Sequence, residues 1–228
     1  MEYAITPPPQ PSVAIAGSDA HFPVRRIYCV GRNYAEHARE MGNDDREPPF
    51  FFTKPNSAIV PDGGTIPFPP ATENFHYEAE LVVAIGKGGA DIALADALDH
   101  VWGYATGNDL TRRDVQANAK KMARPWDMAK GFDLSAPCGS VHPVSEIGHL
   151  KSGAITLSQN GTMRQNTDIS DMVWSVPEVI SYLSGLVSLA PGDLIYTGTP
   201  AGVGPISGGD CLVVEIEGLS SLTTNISR

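Results

Sequence analysis

Cysteine is scarce in this chain: Cys29, Cys138 and Cys211 stand far apart, and no CxxC pair exists. That argues against a disulfide framework or a zinc site and leaves three free thiols, as expected of a reducing compartment. No apolar run approaches the roughly 20 residues that a spanning helix needs. The opening stretch, with Pro7, Pro8, Pro9 and Pro11, lacks the basic start and apolar segment of a secretory leader. A cytoplasmic protein with no membrane partner is therefore the expectation. Basic residues are outnumbered, 16 against 26 acidic, for a formal charge of −10. That balance argues against nucleic acid as a partner. Internal repeats are absent, and no linker divides the body.

What remains is a chain of 228 residues, long enough for one substantial core. Residues 1–23 are rich in proline and weakly patterned, and read as an N-terminal extension before a body at 24–228. Ile27–Val30 reads as a short strand; Asn33 can cap a helix through about Met41, closed by Gly42. Strands are expected at 78–85 and about 101–109. Thr111, with Asp114 three residues later, predicts a capped helix to about Arg124. Asn160-Gly161 between two extended runs is a hairpin signal, and Ser175-Val176-Pro177-Glu178 opens a helix to about Leu186. Three further strands follow, at 193–197, 211–217 and 220–226. Strands outnumber helices and do not alternate with them, which predicts an α+β, mostly β single domain.

The chemistry concentrates in three carboxylates. Glu78 and Glu80 sit two apart just before the apolar run Leu81–Ile85, and Asp109 follows Gly107-Asn108. Side chains two apart on a strand share a face, so the pair aims at one spot, where like charges repel unless a cation lies between them. Oxygen donors of this kind suit a hard divalent ion, Mg2+ or Mn2+. A solvated Glu-x-Glu on an exposed face is the ordinary alternative.

Other candidates lie nearby in sequence. Six of the sixteen basic residues fall between Arg112 and Lys130, either as a solvated helix face or as a local patch that attracts anions. His37 and Glu40 share a helix face and make a candidate base for activating water. Arg113 and Gln116 share another. Lys130, amid Trp126, Met128 and Phe132, either snorkels or is a buried cation that needs an anion. The loop Gly198–Gly204 lacks the Lys-Ser/Thr of a phosphate loop and does not open a helix. It reads instead as a place where backbone N–H groups and the Thr199 hydroxyl approach a ligand.

Five segments in this order make a recognisable set: Gly31-Arg32-Asn33-Tyr34-Ala35-Glu36-His37; His76-Tyr77-Glu78-Ala79-Glu80-Leu81; Gly103-Tyr104 with Asp109-Leu110-Thr111-Arg112-Arg113-Asp114; the Lys130 segment; and Tyr196-Thr197-Gly198-Thr199-Pro200-Ala201-Gly202-Val203-Gly204. The set resembles the fumarylacetoacetate hydrolase family from about residue 25 to the C-terminus. Cys29–Tyr34, Pro48–Phe52 and Val101–Gly107 are most like the acylpyruvase branch, in particular bacterial fumarylpyruvate hydrolases. The chain departs from the commonest pattern at Asn108, where an apolar residue is more usual.

The resemblance implies a β-roll with a few short helices, usually a homodimer, holding Mg2+ or Mn2+ through Glu78, Glu80 and Asp109. It implies that His37 and Glu40 lie on a lid that orders with substrate, His37 and Glu40 serving catalysis together with Lys130. Arg113, Gln116 and Thr199 match substrate-contacting positions. The implied partner is a small anionic 2-oxo acid, and the implied reaction is hydrolysis of fumarylpyruvate to fumarate and pyruvate in aromatic catabolism. Oxaloacetate decarboxylation and hydration or isomerisation of 2-oxo acids are alternatives within the family. A non-catalytic metal-binding protein is the alternative of another class.

Overall fold

The apolar run Leu81–Ile85 lies at the centre of the molecule. In the computed structural model, which describes residues 3–34 and 47–227, the strand Ala79–Ile85 is buried at every position. It is the third strand of a six-stranded sheet ordered His142–Pro143, Val101–Asn108, Ala79–Ile85, Asp193–Tyr196, Arg26–Gly31, Phe50–Lys54. The pairings are antiparallel except that between Asp193–Tyr196 and Arg26–Gly31. Leu81, Val83 and Ile85 belong to the main core, whereas Val82 and Ala84 join a second cluster with Ile27, Cys29, Leu194 and Tyr196. A strand covered on both faces reads as an unbroken apolar run rather than as an alternation.

A second sheet, of five strands, runs Thr162–Asp168, Ala154–Gln159, Cys211–Ile216, Leu222–Ser227, Thr65–Pro67. Its residues Ile155, Leu157, Val214, Leu222 and Ile226 complete the main core. The expected hairpin forms, with both turn residues in the left-handed region at φ 53° for Asn160 and 77° for Gly161, the conformation of a type I′ turn. The helix Val176–Leu186 also begins and ends as expected. The Glu178 carboxylate accepts from the Ser175 backbone N–H at 2.9 Å, and Val176, Val179, Ile180 and Leu183 are buried in the main core.

The helix after Asp109 differs from expectation. It spans Arg113–Lys121, not 111–124, and the Thr111–Asp114 capping box does not form. Thr111 lies in a short strand and its hydroxyl donates to the Asp109 carbonyl at 3.0 Å. Asp114 instead accepts from the Thr72 hydroxyl at 2.5 Å and the Glu73 N–H at 2.8 Å. Long-range ties therefore displace the local cap. At the N-terminus, Ser12–Ala14 pairs with His21–Pro23, and Val13 and Phe22 are buried in the second cluster. Among the described residues no helix is long and apolar enough to cross a membrane.

Candidate metal centre and active site

Glu78 stands where the chain passes between sheets. Phe75–Tyr77 belongs to a small three-stranded sheet with Thr111–Arg112 and Gly204–Pro205, and Ala79–Ile85 to the six-stranded one. The strand expected over 78–85 thus breaks at Glu78, whose N–H donates to the Asn108 side-chain oxygen at 2.9 Å instead of to a strand partner. Pairing of Ala79 with Asn108 and Glu80 with Gly107 sets Asp109 across from Glu78, and the Asp109 N–H donates to the Glu78 carbonyl at 2.8 Å. One carboxylate oxygen each from Glu78, Glu80 and Asp109 lies within 4.8 Å of the others, and all three side chains are buried.

Three cations answer these carboxylates. The Lys130 ammonium lies 2.5 Å from Glu78 Oε2 and 2.7 Å from Asp109 Oδ2. Lys54 Nζ lies 2.7 Å from Asp109 Oδ1, as an ion pair outside hydrogen-bond alignment, and also donates to the Leu110 carbonyl at 3.1 Å. Arg113 donates to Glu78 Oε1 and, at 2.8 Å, to the Gln116 side-chain oxygen. Burial alone would lower the Lys130 ammonium, but the carboxylates of Asp109 and Glu78 outweigh it and hold the group above its ordinary value. Glu80 has no lysine or arginine at ion-pair distance among the described residues. Burial, then Asp109 and Glu78, push its carboxyl well above the usual range, against Lys130 and the Gly198 N–H.

That N–H belongs to the loop expected to approach a ligand. It donates to Glu80 Oε2 at 2.8 Å. Gly198 has φ 99°, and a Cβ there would lie 2.7 Å from that of Asn33, so only glycine lets the loop come this close. Asn33 fixes the approach by donating to the Thr197 carbonyl at 2.7 Å and the Trp174 carbonyl at 2.9 Å. Gln165, from the five-stranded sheet, donates to the Thr199 hydroxyl and the Pro200 carbonyl, each at 2.8 Å, and accepts from the Ala79 N–H at 2.9 Å.

The triad lies in a pocket also lined by Arg32, Phe52, Arg113, Gln116, Lys120, Trp126 and Thr199. The donor set fits a hard divalent ion: three buried carboxylates, oxygen donors only, with one oxygen of each within 4.8 Å of the others. Of the residues expected at the site, Glu78, Glu80, Asp109, Arg113, Gln116, Lys130 and Thr199 meet here. His37, Glu40 and the helix expected to carry them lie outside the described residues. The basic run divides: Arg113, Lys120 and Lys130 line the pocket, while Lys121 and Arg124 are exposed.

Sequence reasoning missed Lys54, Asn33 as a brace, and Gln165. Lys54 carried a signal, since it closes Phe50-Phe51-Phe52-Thr53 much as Lys130 lies among apolar residues. Gln165 carried none: it sits in Thr162–Asp168, a strand otherwise exposed or half-exposed and almost wholly polar.

A model of the fumarylacetoacetate (FAA) hydrolase C-terminal family matches residues 26–227. Among solved structures, fumarylpyruvate hydrolase from Pseudomonas aeruginosa in complex with Mn2+ and pyruvate is similar at a TM-score of 0.97 and 52% identity, over 99% of each chain. The mitochondrial oxaloacetate tautomerase FAHD1 of Homo sapiens is 42% identical over 204 residues, 90% of this chain and 92% of its own. The mitochondrial oxaloacetate decarboxylase of Dictyostelium discoideum is 41% identical over 198 residues, 86% of this chain and 91% of its own.

Proposed function

Because the chain belongs to the fumarylacetoacetate hydrolase family, we propose that it is a divalent-metal-dependent hydrolase of acylpyruvates, converting fumarylpyruvate to fumarate and pyruvate in gentisate-type aromatic breakdown. The observation that carries this reading is the buried triad of Glu78, Glu80 and Asp109, met by Lys130 and Arg113 in one pocket. The P. aeruginosa relative, whose complex contains Mn2+ and pyruvate, supports it. A homodimer in the cytoplasm belongs to the same reading.

Mg2+ or Mn2+ held by the three carboxylates would supply Lewis acidity at the 2-oxo acid end of the substrate. Arg113, steadied by Gln116, binds and orients the anionic substrate, and the Thr199 hydroxyl offers a further hydrogen bond. Lys130 places positive charge where the departing pyruvate enolate builds negative charge. His37, oriented by Glu40, takes a proton from the water that adds to the acyl carbonyl. The bond between that carbonyl carbon and the pyruvate methylene then breaks. Its electron pair becomes the enolate, and His37 returns the proton to the enolate carbon.

An ultraviolet assay of fumarylpyruvate, maleylpyruvate, acetylpyruvate and oxaloacetate with defined divalent ions tests this. Fumarylpyruvate is expected to turn over fastest, a chelator to abolish turnover, and Mg2+ or Mn2+ to restore it. Undiminished turnover after chelation would overturn the proposal.

The tautomerase and decarboxylase relatives favour a second reading, in which oxaloacetate is the substrate. It uses the same enolate stabilisation and no attacking water. His37→Ala separates hydrolysis from decarboxylation: hydrolysis should collapse, whereas oxaloacetate decarboxylation should persist.

A further inference from the structure

Two cations line the same pocket and have no task in the chemistry above. Arg32 follows the strand Arg26–Gly31, and Lys120 lies in the last turn of the helix Arg113–Lys121. Both flank an aromatic corner. The Arg32 guanidinium carbon is 5.5 Å from the Phe50 ring centre, Lys120 Nζ is 5.0 Å from that of Trp126, and the two rings meet edge to face at 5.2 Å.

Their charge is poorly answered. Among the described residues Lys120 has no carboxylate at ion-pair distance, and Arg32 reaches only Glu47, at 3.8 Å, whose side chain is 61% exposed. Arg32 Nε is buried without a hydrogen-bond partner. Burial, then the guanidiniums of Arg32 and Arg113, push the Lys120 ammonium down to about 8. In the same pocket the three carboxylates already face Lys54, Lys130 and Arg113. Among the described residues the positive charge without a close ion-pair partner is therefore that of Arg32 and Lys120, on a chain whose formal charge is −10. Cations kept together in a half-buried, ring-walled site are unfavourable unless an anion joins them.

We propose that Arg32 and Lys120 form a carboxylate subsite for the far end of a dicarboxylic substrate, with Phe52 and Trp126, which line the same pocket, walling the chain between its two ends. This deepens the acylpyruvate reading and rests on it, specifying an acyl group that ends in a carboxylate. Fumarylpyruvate has such a group and acetylpyruvate does not.

The test uses the full chain loaded with Mn2+ and two probes of equal length, 2-oxoheptanedioate and 2-oxoheptanoate, which differ only in the terminal carboxylate. By calorimetry the wild type should bind the diacid about 30-fold tighter, as charge-assisted hydrogen bonds warrant. Lys120→Met and Arg32→Met should each cut that preference by about fivefold or more, and Lys120→Arg should keep most of it. Lys120 lies on a helix surface, so its variants keep the test open if Arg32→Met fails to fold. A wild type without the preference, or variants that hold it within about twofold, would overturn the subsite. Fumarylpyruvate turnover measured in parallel separates the two ideas. Diacid preference without hydrolysis supports the subsite and refutes the hydrolase, while hydrolysis without diacid preference refutes the subsite alone.

Discussion

The two sheets of this molecule bury their residues differently, and the difference locates the chemistry. In the six-stranded sheet, Ala79–Ile85 is covered on both faces and begins beside carboxylates that are almost wholly buried. In the five-stranded sheet, Leu222–Ser227 alternates strictly between buried and half-exposed residues, so Thr223, Asn225 and Ser227 keep some solvent while Leu222, Thr224 and Ile226 are buried. Charge inside a doubly covered sheet costs several kcal/mol per ion unless it is paired and hydrogen-bonded. Here Lys54, Lys130, Arg113 and the Gly198 N–H supply that pairing. The candidate metal ligands sit where the scaffold has least freedom to relax. The softer sheet reaches the site through Gln165.

The sharpest way to break this contrast is Glu80→Gln. The amide keeps the shape and can still accept from Gly198, but it removes one buried charge from the triad. Mn2+ affinity should fall by about 100-fold or more and turnover with it, read by calorimetry and the ultraviolet assay. In the wild type, burial and then Asp109 and Glu78 hold the Glu80 carboxyl well above its usual range. Ion binding requires the deprotonated form, so it should release a proton and tighten as pH rises. Glu80→Gln should lose that contribution to the pH dependence. Wild-type Mn2+ affinity in the variant would show that the buried carboxylate is not a ligand.

Gln165→Leu comes next and tests the link between the sheets. The leucine fills similar space but breaks three hydrogen bonds and leaves the Ala79 N–H and Pro200 carbonyl buried without their partner. At roughly 1 kcal/mol net for each bond, stability should drop by about 2–3 kcal/mol in urea unfolding. If Gln165 positions Thr199, kcat should fall about tenfold or more while Mn2+ affinity moves by less than about threefold. Loss of stability with unchanged kcat would make the residue a brace for the fold alone.

How far the sequence foretold this depended on the range of the interactions involved. The hairpin at Asn160-Gly161 and the helix from Ser175 were legible because their determinants are neighbours in the chain. The pairing of Glu78 with Glu80 was legible from the two-residue repeat of a strand. The break at Glu78 was not, because it is made by Asn108, thirty residues away. Thr111 failed as a cap for the same reason: Asp114 is claimed by Thr72 and Glu73. Lys54 reached Asp109 through the folding of an edge strand that no local pattern connects to it. The nine site residues named from the sequence owed more to the ordered family motifs than to composition, and seven of them fall among the described residues.

Gly161→Ala has the smallest expected effect and is the control on which the contrast depends. Gly161 holds φ 77° in the hairpin turn of the five-stranded sheet, and a Cβ there would meet nothing within 4 Å. The cost is therefore conformational, about 1–2 kcal/mol for a non-glycine residue in the left-handed region. For a chain of this size that lowers Tm by roughly 2–8 °C. The turn shares no hydrogen bond with Glu78, Glu80 or Asp109. Mn2+ affinity and kcat should thus stay within about twofold of wild type, since distant, unlinked positions act independently. A fall in kcat comparable to that of Gln165→Leu would mean that the second sheet controls the site through its whole body, and the division between a charged, rigid sheet and a supporting one would fail.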